Sequence, residues 1–134
     1  MALALANAER IVRAVELPVT VDFEGGYSEN PDEAARNVGY LWSTGAIGCN
    51  FEDQVVGGEG LYGIADQAAR NAAARRAVGA DFFINARTDL FLKAAPDTHD
   101  AAMVEAALER ARAYADAGAS GFFVPLLADL ALLE

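Results

Sequence analysis

The feature that most constrains this chain is a weak internal repeat, in which a Gly-Ala pair leads into an apolar run. The pairs begin at Gly45, Gly79 and Gly118, so they are 34 and 39 residues apart, which is room for one strand and one helix. Each glycine stands where a helix would end, as the left-handed residue that closes it. A further apolar run over residues 17–24 opens the series without the Gly-Ala pair. The repeat therefore predicts strands that alternate with helices.

Helical patterns fill the intervals between these runs. The first helix is predicted over residues 2–15, and the second begins at Asn30-Pro31, with asparagine as the N-cap and proline in the first turn. Spacing predicts that the buried face of the second helix holds Val38, Leu41 and Trp42.

Two more helices complete the pattern. An alanine-rich helix is predicted over residues 64–77, and a longer one, capped by Thr98 or Asp97, runs to Asp116. Nearly continuous apolar strands between helices are typical of a parallel sheet covered by helices. We therefore predict an α/β fold, with residues 1–134 as one domain.

Composition narrows the classes of function. The net charge of −10 argues against nucleic acid or an anionic membrane as a partner, because phosphate binding needs clustered cations. No run approaches the roughly 18 to 20 apolar residues of a membrane span. The single Cys49 excludes an intramolecular disulfide, and we expect a cytoplasmic protein.

The carboxyl ends of the predicted strands are unusually polar, and ligands bind at such ends in parallel α/β folds. Side chains alternate along a strand, so three groups each share a face: Asp22 with Glu24, Asn50 with Glu52, and Asn85 with Arg87 and Asp89. Any single acid here could instead cap a helix or be solvated. Together they favour a site for Mg²⁺, with Mn²⁺ as an alternative, in which Arg87 binds an anionic substrate.

A glycine-rich segment offers a competing interpretation. Residues 58–63 match the G-x-G-x-x-G pattern of dinucleotide-binding folds, which would make the chain a small α/β nucleotide-binding module. The match is weak, because residues 54–57 separate it from the strand and Glu59 would face a pyrophosphate. We favour a flexible lid over residues 54–63 that uses Gly57, Gly58 and Gly60.

Four ordered motifs carry a family resemblance: PVTVDFEGGYS at residues 18–28, GAIGCNFED at 45–53, FINARTD at 83–89 and AGASGFFVP at 117–125. Together they resemble the isocitrate lyase and phosphoenolpyruvate mutase superfamily over essentially the whole chain. The resemblance implies a (β/α)₈ barrel, Mg²⁺, and an enolate-type intermediate. The implied chemistry makes or breaks C–C or P–C bonds in a small oxo acid or phosphonate.

The resemblance also implies roles for individual residues. Asp22 would be the principal metal ligand, and Glu24 and Glu52 would complete the site. Arg87 would bind the substrate carboxylate or phosphonate. We add Glu52 to Arg87 as a catalytic candidate, and Asn50 and Asn85 as substrate-binding candidates.

Two departures from the family pattern affect the expected reaction type and the expected extent of the barrel. Residues 54–60 hold no Cys, Lys or His. The lyase branches of the family carry Lys-Lys-Cys-Gly-His at this place. We therefore expect a mutase, hydrolase or decarboxylase and not an isocitrate lyase. The motifs also correspond to the third through sixth strands, about half of a barrel. We therefore expect a fragment that is inactive alone, from a family of homo-oligomers. The alternatives are a non-catalytic fragment and the nucleotide-binding module.

Overall fold

A computed structural model describes residues 1–132 of the chain. Its sheet has four parallel strands in chain order: β1 (Thr20–Asp22), β2 (Gly48–Glu52), β3 (Phe83–Arg87) and β4 (Gly121–Phe123). The predicted α/β fold with alternating strands and helices is confirmed.

The helices precede, separate and cover the strands: α1 (Ala2–Ala14), α2 (Pro31–Ser43), α3 (Ile64–Val78), α4 (Leu90–Lys93) and α5 (Ala101–Asp116), with 3₁₀ turns at Pro96–Thr98 and Leu130–Leu132. Over residues 1–132, none of these helices is both long and apolar enough to cross a bilayer.

The N-cap residue predicted from the sequence is correct for α2 and wrong for α5. Asn30 caps α2, and its side-chain oxygen accepts hydrogen bonds from the backbone N–H groups of Asp32 and Glu33 at 3.0 and 3.1 Å. The predicted cap of α5 at Thr98 or Asp97 is wrong, because both residues lie in a 3₁₀ turn. Asp100 has the extended backbone of a cap and accepts from Met103 N–H at 2.9 Å.

The repeated glycines have the conformation that their position predicts. Gly45, Gly79 and Gly118 have φ values of 93°, 70° and 94°, in the left-handed region that side chains rarely adopt. A Cβ on Gly118 would also lie 2.9 Å from Cγ of Arg75, so the chain passes close to α3 there.

The core lies between the helices and one face of the sheet, which we call the covered face. Cys49, Phe51 and Ile84 belong to it and pack with Val38 and Leu41 of α2. Cys49 is therefore a free thiol buried in the core. The prediction for Trp42 is wrong: it is 46% exposed, because it is one residue, or about 100°, past Leu41 on the helix.

The other face of the sheet, which we call the open face, carries the alternate residues. Register places Asp22 beside Asn50, Asn50 beside Asn85, and Asn85 beside Gly121. Phe83 and Phe123 lie on this face and remain 46% and 39% exposed. The open face therefore presents polar and apolar side chains that no helix covers.

Candidate functional site

The site is organised around the guanidinium of Arg87, at the carboxyl end of β3. Nη1 of Arg87 lies 3.2 Å from a carboxylate oxygen of Asp22 and 3.5 Å from one of Glu52. Nε and Nη2 donate to the two oxygens of Asp89 at 2.6 and 3.3 Å. Three carboxylates from three strand ends thus meet one cation, as the alternation of side chains predicts.

The local environment leaves this cluster short of positive charge. The side chains of Glu52 and Asp89 are 7% and 1% exposed, while that of Asp22 is 54% exposed. Burial raises the pKa of Glu52 to about 7, and the charge of Asp89 adds to the shift while Arg87 opposes it. Asp22 and Glu24 contribute smaller repulsions.

Glu24 departs from the strand geometry on which its assignment depends. β1 ends at Asp22, and Glu24 has a φ of 50°, so the regular alternation of side chains stops before it. Its carbonyl still accepts from Glu52 N–H at 3.0 Å. Its side chain lines a cavity of about 320 Å³ between two loops, with Gly25, Tyr27, Ser28, Glu29, Val56 and Tyr62. Its role as a ligand stays a prediction.

Asn50 and Asn85 lie one row below the charged cluster on the open face. Nδ2 of Asn85 donates to Oδ1 of Asn50 at 2.8 Å, and both side chains are half-buried. This bond fixes the two amides beside Asp22 in the register of the sheet. Their substrate-binding role stays a prediction.

The donor set suits a hard divalent cation, although no ligand shell is assembled. Among residues 1–132, no three His, Cys, Asp or Glu side chains are grouped closely enough to hold a metal ion. Asp22 and Glu52 are instead turned toward Arg87. Their carboxylate oxygens are of the type that Mg²⁺ prefers, and three carboxylates against one guanidinium leave surplus negative charge.

The glycine-rich segment is a small hairpin between β2 and α3. Gln54 pairs with Leu61, and Val55 N–H donates to Gly60 C=O at 3.0 Å. Gly57, Gly58 and Gly60 lie exposed near its tip. A dinucleotide fingerprint turn runs directly from strand to helix, and this hairpin does not. The mobility predicted for a lid stays a prediction.

Sequence reasoning missed the part that Arg70 plays behind the site. Arg70 is 1% exposed, and its guanidinium donates to the carbonyls of Gly25, Ser28 and Glu29 at 2.6, 3.0 and 2.7 Å. It also stacks 4.4 Å from the ring centroid of Tyr62. Arg70 therefore ties α3 to the loop that carries Glu24. The sequence signal that could have indicated this role is an arginine on the buried side of an alanine-rich helix.

A second network was also missed, centred on Asp53. Its carboxylate is fully buried and accepts from Tyr114 Oη–H and Arg110 Nη1–H, both at 2.9 Å. Its other oxygen accepts from the backbone N–H of Asp89 at 3.0 Å. Burial, with the nearby charge of Asp53, raises the pKa of Tyr114. Tyr114 and Arg110 share a helical stripe, which predicts packing alone.

Comparison with known proteins identifies the family of this chain. The family model for phosphoenolpyruvate phosphomutase matches residues 1–134. A probable 2-methylisocitrate lyase of Corynebacterium glutamicum is 36% identical over 130 residues, which cover 90% of this chain and 39% of that protein. The chain thus spans about two fifths of the length of the curated relatives it matches.

Solved structures give the same result. A provisionally named phosphonomutase from Burkholderia cenocepacia is 52% identical with a TM-score of 0.95, covering 98% of this chain and 54% of that one. A 2,3-dimethylmalate lyase of the PEP mutase/isocitrate lyase superfamily is 30% identical with a TM-score of 0.78, covering 96% and 43%. A phosphonopyruvate hydrolase bound to oxalate and Mg²⁺, 24% identical with a TM-score of 0.79 over 92% and 42%, shares the fold.

Proposed function

This chain belongs to the phosphoenolpyruvate phosphomutase family, in the superfamily of lyases and mutases that includes 2,3-dimethylmalate lyase, and we propose that it carries the cation-binding part of such an enzyme. The proposed substrate is a small 2-oxo acid or phosphonate, bound with Mg²⁺. The observation that carries the proposal is the meeting of Asp22, Glu52 and Asp89 around Arg87 at one edge of the sheet.

Asp22 and Glu52 are the residues that would hold Mg²⁺, with Glu24 in the adjoining loop as the third candidate. When bound, the cation would stabilise negative charge on an enolate-type intermediate. Asp22 is the accessible member of the pair, while Glu52 is anchored at the buried end of β2. This division suits one ligand that meets the incoming cation and one that holds its position.

Arg87 would bind the substrate carboxylate or phosphonate through a restricted part of its guanidinium. Asp89 occupies Nε and one hydrogen of Nη2, so the fork is already engaged on that side. Nη1 faces Asp22 and Glu52, where the cation would lie. We propose that substrate binds Arg87 from the Nη1 side, which places its acidic group beside the cation.

The hairpin supports a choice among reaction types. Residues 54–60 hold no thiol, amine or imidazole that could act as an acid or base in C–C cleavage of isocitrate. We therefore propose mutase, hydrolase or decarboxylase chemistry in place of isocitrate cleavage. The 2-methylisocitrate lyases among the relatives are 36% and 33% identical to this chain, so the choice of reaction type depends on the chemistry of this loop.

The proposed activity belongs to a longer enzyme than this chain represents. The chain covers 54% of its provisionally named phosphonomutase neighbour, and the open face has uncovered phenylalanines. We propose that residues 1–134 alone bind ligand weakly and do not turn substrate over. Homo-oligomerisation is proposed for the full-length family only.

Calorimetry on the 134-residue chain tests the proposal. Mg²⁺ is titrated first, followed by oxalate as a probe for a small oxo-acid substrate. Binding of oxalate should require Mg²⁺, and Asp22→Asn should weaken Mg²⁺ binding at least about tenfold, because one carboxylate charge beside the cation is lost. Asp81→Asn is the matched control, since Asp81 is exposed just before β3, at the opposite edge of the sheet.

Three results would count against the proposal. Equal Mg²⁺ affinity in the Asp22→Asn and Asp81→Asn variants would remove Asp22 from the site. Absence of any Mg²⁺-dependent oxalate binding would favour the non-catalytic fragment. Binding of a dinucleotide in place of oxalate would favour the nucleotide-binding module.

A further inference from the structure

We propose that helix α5 positions Arg87 for its ligand through a relay in which Arg110 and Tyr114 hold Asp53, and Asp53 holds Asp89. The proposal deepens the proposed function, because it rests on Arg87 as the group that meets substrate. Arg110 and Tyr114 are positioning residues here: their side chains hydrogen-bond to Asp53, to each other and to the carbonyl of Tyr62.

The relay begins with a carboxylate that has no contact with solvent. Asp53 is fully buried, and one of its oxygens accepts from both Arg110 Nη1–H and Tyr114 Oη–H at 2.9 Å. Nη1 of Arg110 lies in addition 2.9 Å from the hydroxyl oxygen of Tyr114 and 3.1 Å from the carbonyl of Tyr62. Donors from α5 therefore fix one oxygen of Asp53 from two directions.

The second carboxylate oxygen of Asp53 connects these donors to the end of β3. Oδ1 of Asp53 accepts the backbone N–H of Asp89 at 3.0 Å, just beyond the end of β3. Asp89 is fully buried, and its side chain meets Arg87 with both oxygens. A shift of the Asp89 backbone would therefore move the partner that sets the orientation of the Arg87 guanidinium.

The chemistry of the relay suits positioning better than stabilisation. Burying a carboxylate and a guanidinium costs desolvation free energy, and apolar residues of similar volume often stabilise a fold as well or better. Arg110 and Asp53 form such a buried ion pair, with side chains 13% and 0% exposed. Through Asp53, the hydrogen bonds of Arg110 and Tyr114 reach the backbone N–H of Asp89, the residue that pairs with Arg87.

The experiment follows the Nε–H resonance of Arg87 by ¹⁵N-resolved NMR of the 134-residue chain. The resonance is assigned by its loss in Arg87→Lys, and the 2.6 Å bond to Asp89 makes it a sensitive reporter. Tyr114→Phe keeps the ring and removes the hydroxyl donor, so the Arg87 Nε–H resonance should shift. Asp53→Asn removes the charge at the centre of the relay and should shift it further.

A matched control separates positioning from loss of stability. Val78→Ala removes buried volume at the end of α3, away from the relay, and is compared at a temperature where both variants are equally folded. It should leave the Arg87 resonance in place. Tyr114→Phe should also weaken Mg²⁺-dependent oxalate binding about fivefold, the equivalent of one hydrogen bond, while Val78→Ala should not.

The outcomes divide cleanly between this proposal and the proposed function. An unchanged Arg87 resonance in both Tyr114→Phe and Asp53→Asn overturns the relay, as does an equal shift in Val78→Ala. A shifted resonance in a chain that binds no oxalate supports the relay and contradicts the proposed function. If Tyr114→Phe does not fold, the Arg87 resonance in Asp53→Asn decides, and that measurement does not depend on oxalate binding.

Discussion

The two faces of the sheet are built from alternate residues of the same strands, yet they obey different requirements. On the covered face, Ile84 and Cys49 are buried against helices and belong to a continuous apolar core. On the open face, their chain neighbours Phe83 and Asn50 remain exposed and half-buried, respectively. The difference shows that strand alternation here separates the residues that stabilise the chain from those available to a ligand.

The largest expected effect contrasts adjacent residues of β3. Ile84→Ala should lower the free energy of unfolding by about 2–5 kcal/mol, because it leaves a cavity in the core. Phe83→Ala removes a larger side chain but should cost only about 1–1.5 kcal/mol, since Phe83 is 46% exposed. Urea unfolding of both variants measures the contrast, and similar losses would mean that the open face is also packed.

A thiol provides a sharper probe of the same contrast. Burial, with the charge of Asp22, raises the pKa of Cys49 to about 12. At pH 8, Cys49 should react with a thiol reagent about a thousandfold more slowly in the folded chain than in urea. A cysteine placed on the open face, Asn50→Cys in a Cys49→Ala background, should react much faster. Comparable rates for the two positions would refute the assignment of faces.

The same shift predicts a pH dependence of stability. Because the folded pKa of this acid lies above the unfolded value of about 8.5, the folded state binds more protons between the two values. Unfolding free energy should therefore fall by up to about 1.4 kcal/mol per pH unit as pH rises from about 8.5 toward 12. Cys49→Ala should remove this component of the slope, and an identical slope in that variant would contradict it.

A smaller effect tests how closely the open face is filled. A Cβ on Gly121 would lie 2.8 Å from Oδ1 of Asn85 and 2.9 Å from the ring of Phe83. Gly121→Ala should therefore cost about 1–3 kcal/mol and disturb the Asn85–Asn50 bond. Gly60→Ala is the control, because nothing lies within 4 Å of its added Cβ. Thermal unfolding compares the stability of the two variants. Equal stability would show that Asn85 and Phe83 rearrange at no cost to accommodate the added methyl group.

Much of the fold could be predicted because its signals are local. The Asn30-Pro31 start of α2 and the glycines at 45, 79 and 118 act through backbone preferences of one or two residues, and the structure agrees with them. The cap of α5 was misplaced because several polar residues precede it, and only the 3₁₀ turn decides among them. Trp42 was misplaced because apolarity alone does not fix which side of a helix faces the core.

The candidate site divides in the same way. Alternation brought Asp22, Glu52 and Arg87 to one edge, since neighbouring parallel strands end together. The same rule failed at Glu24, because the strand ends at Asp22 and Glu24 itself has a positive φ of 50°. Sequence patterns therefore locate a cluster but do not locate the turn that follows it.

By itself, the sequence determined the alternation of helices and strands, the parallel sheet and the polar strand ends, because periodicity and capping depend on residues close along the chain. The tertiary structure alone decided that Arg70 reaches the carbonyl of Gly25, 45 residues away, and that Tyr114 reaches Asp53, 61 residues away. Such pairs depend on how helices cross the sheet, and many alternative pairings satisfy the same sequence pattern. Burial then selects the pairing that leaves each charge with a partner.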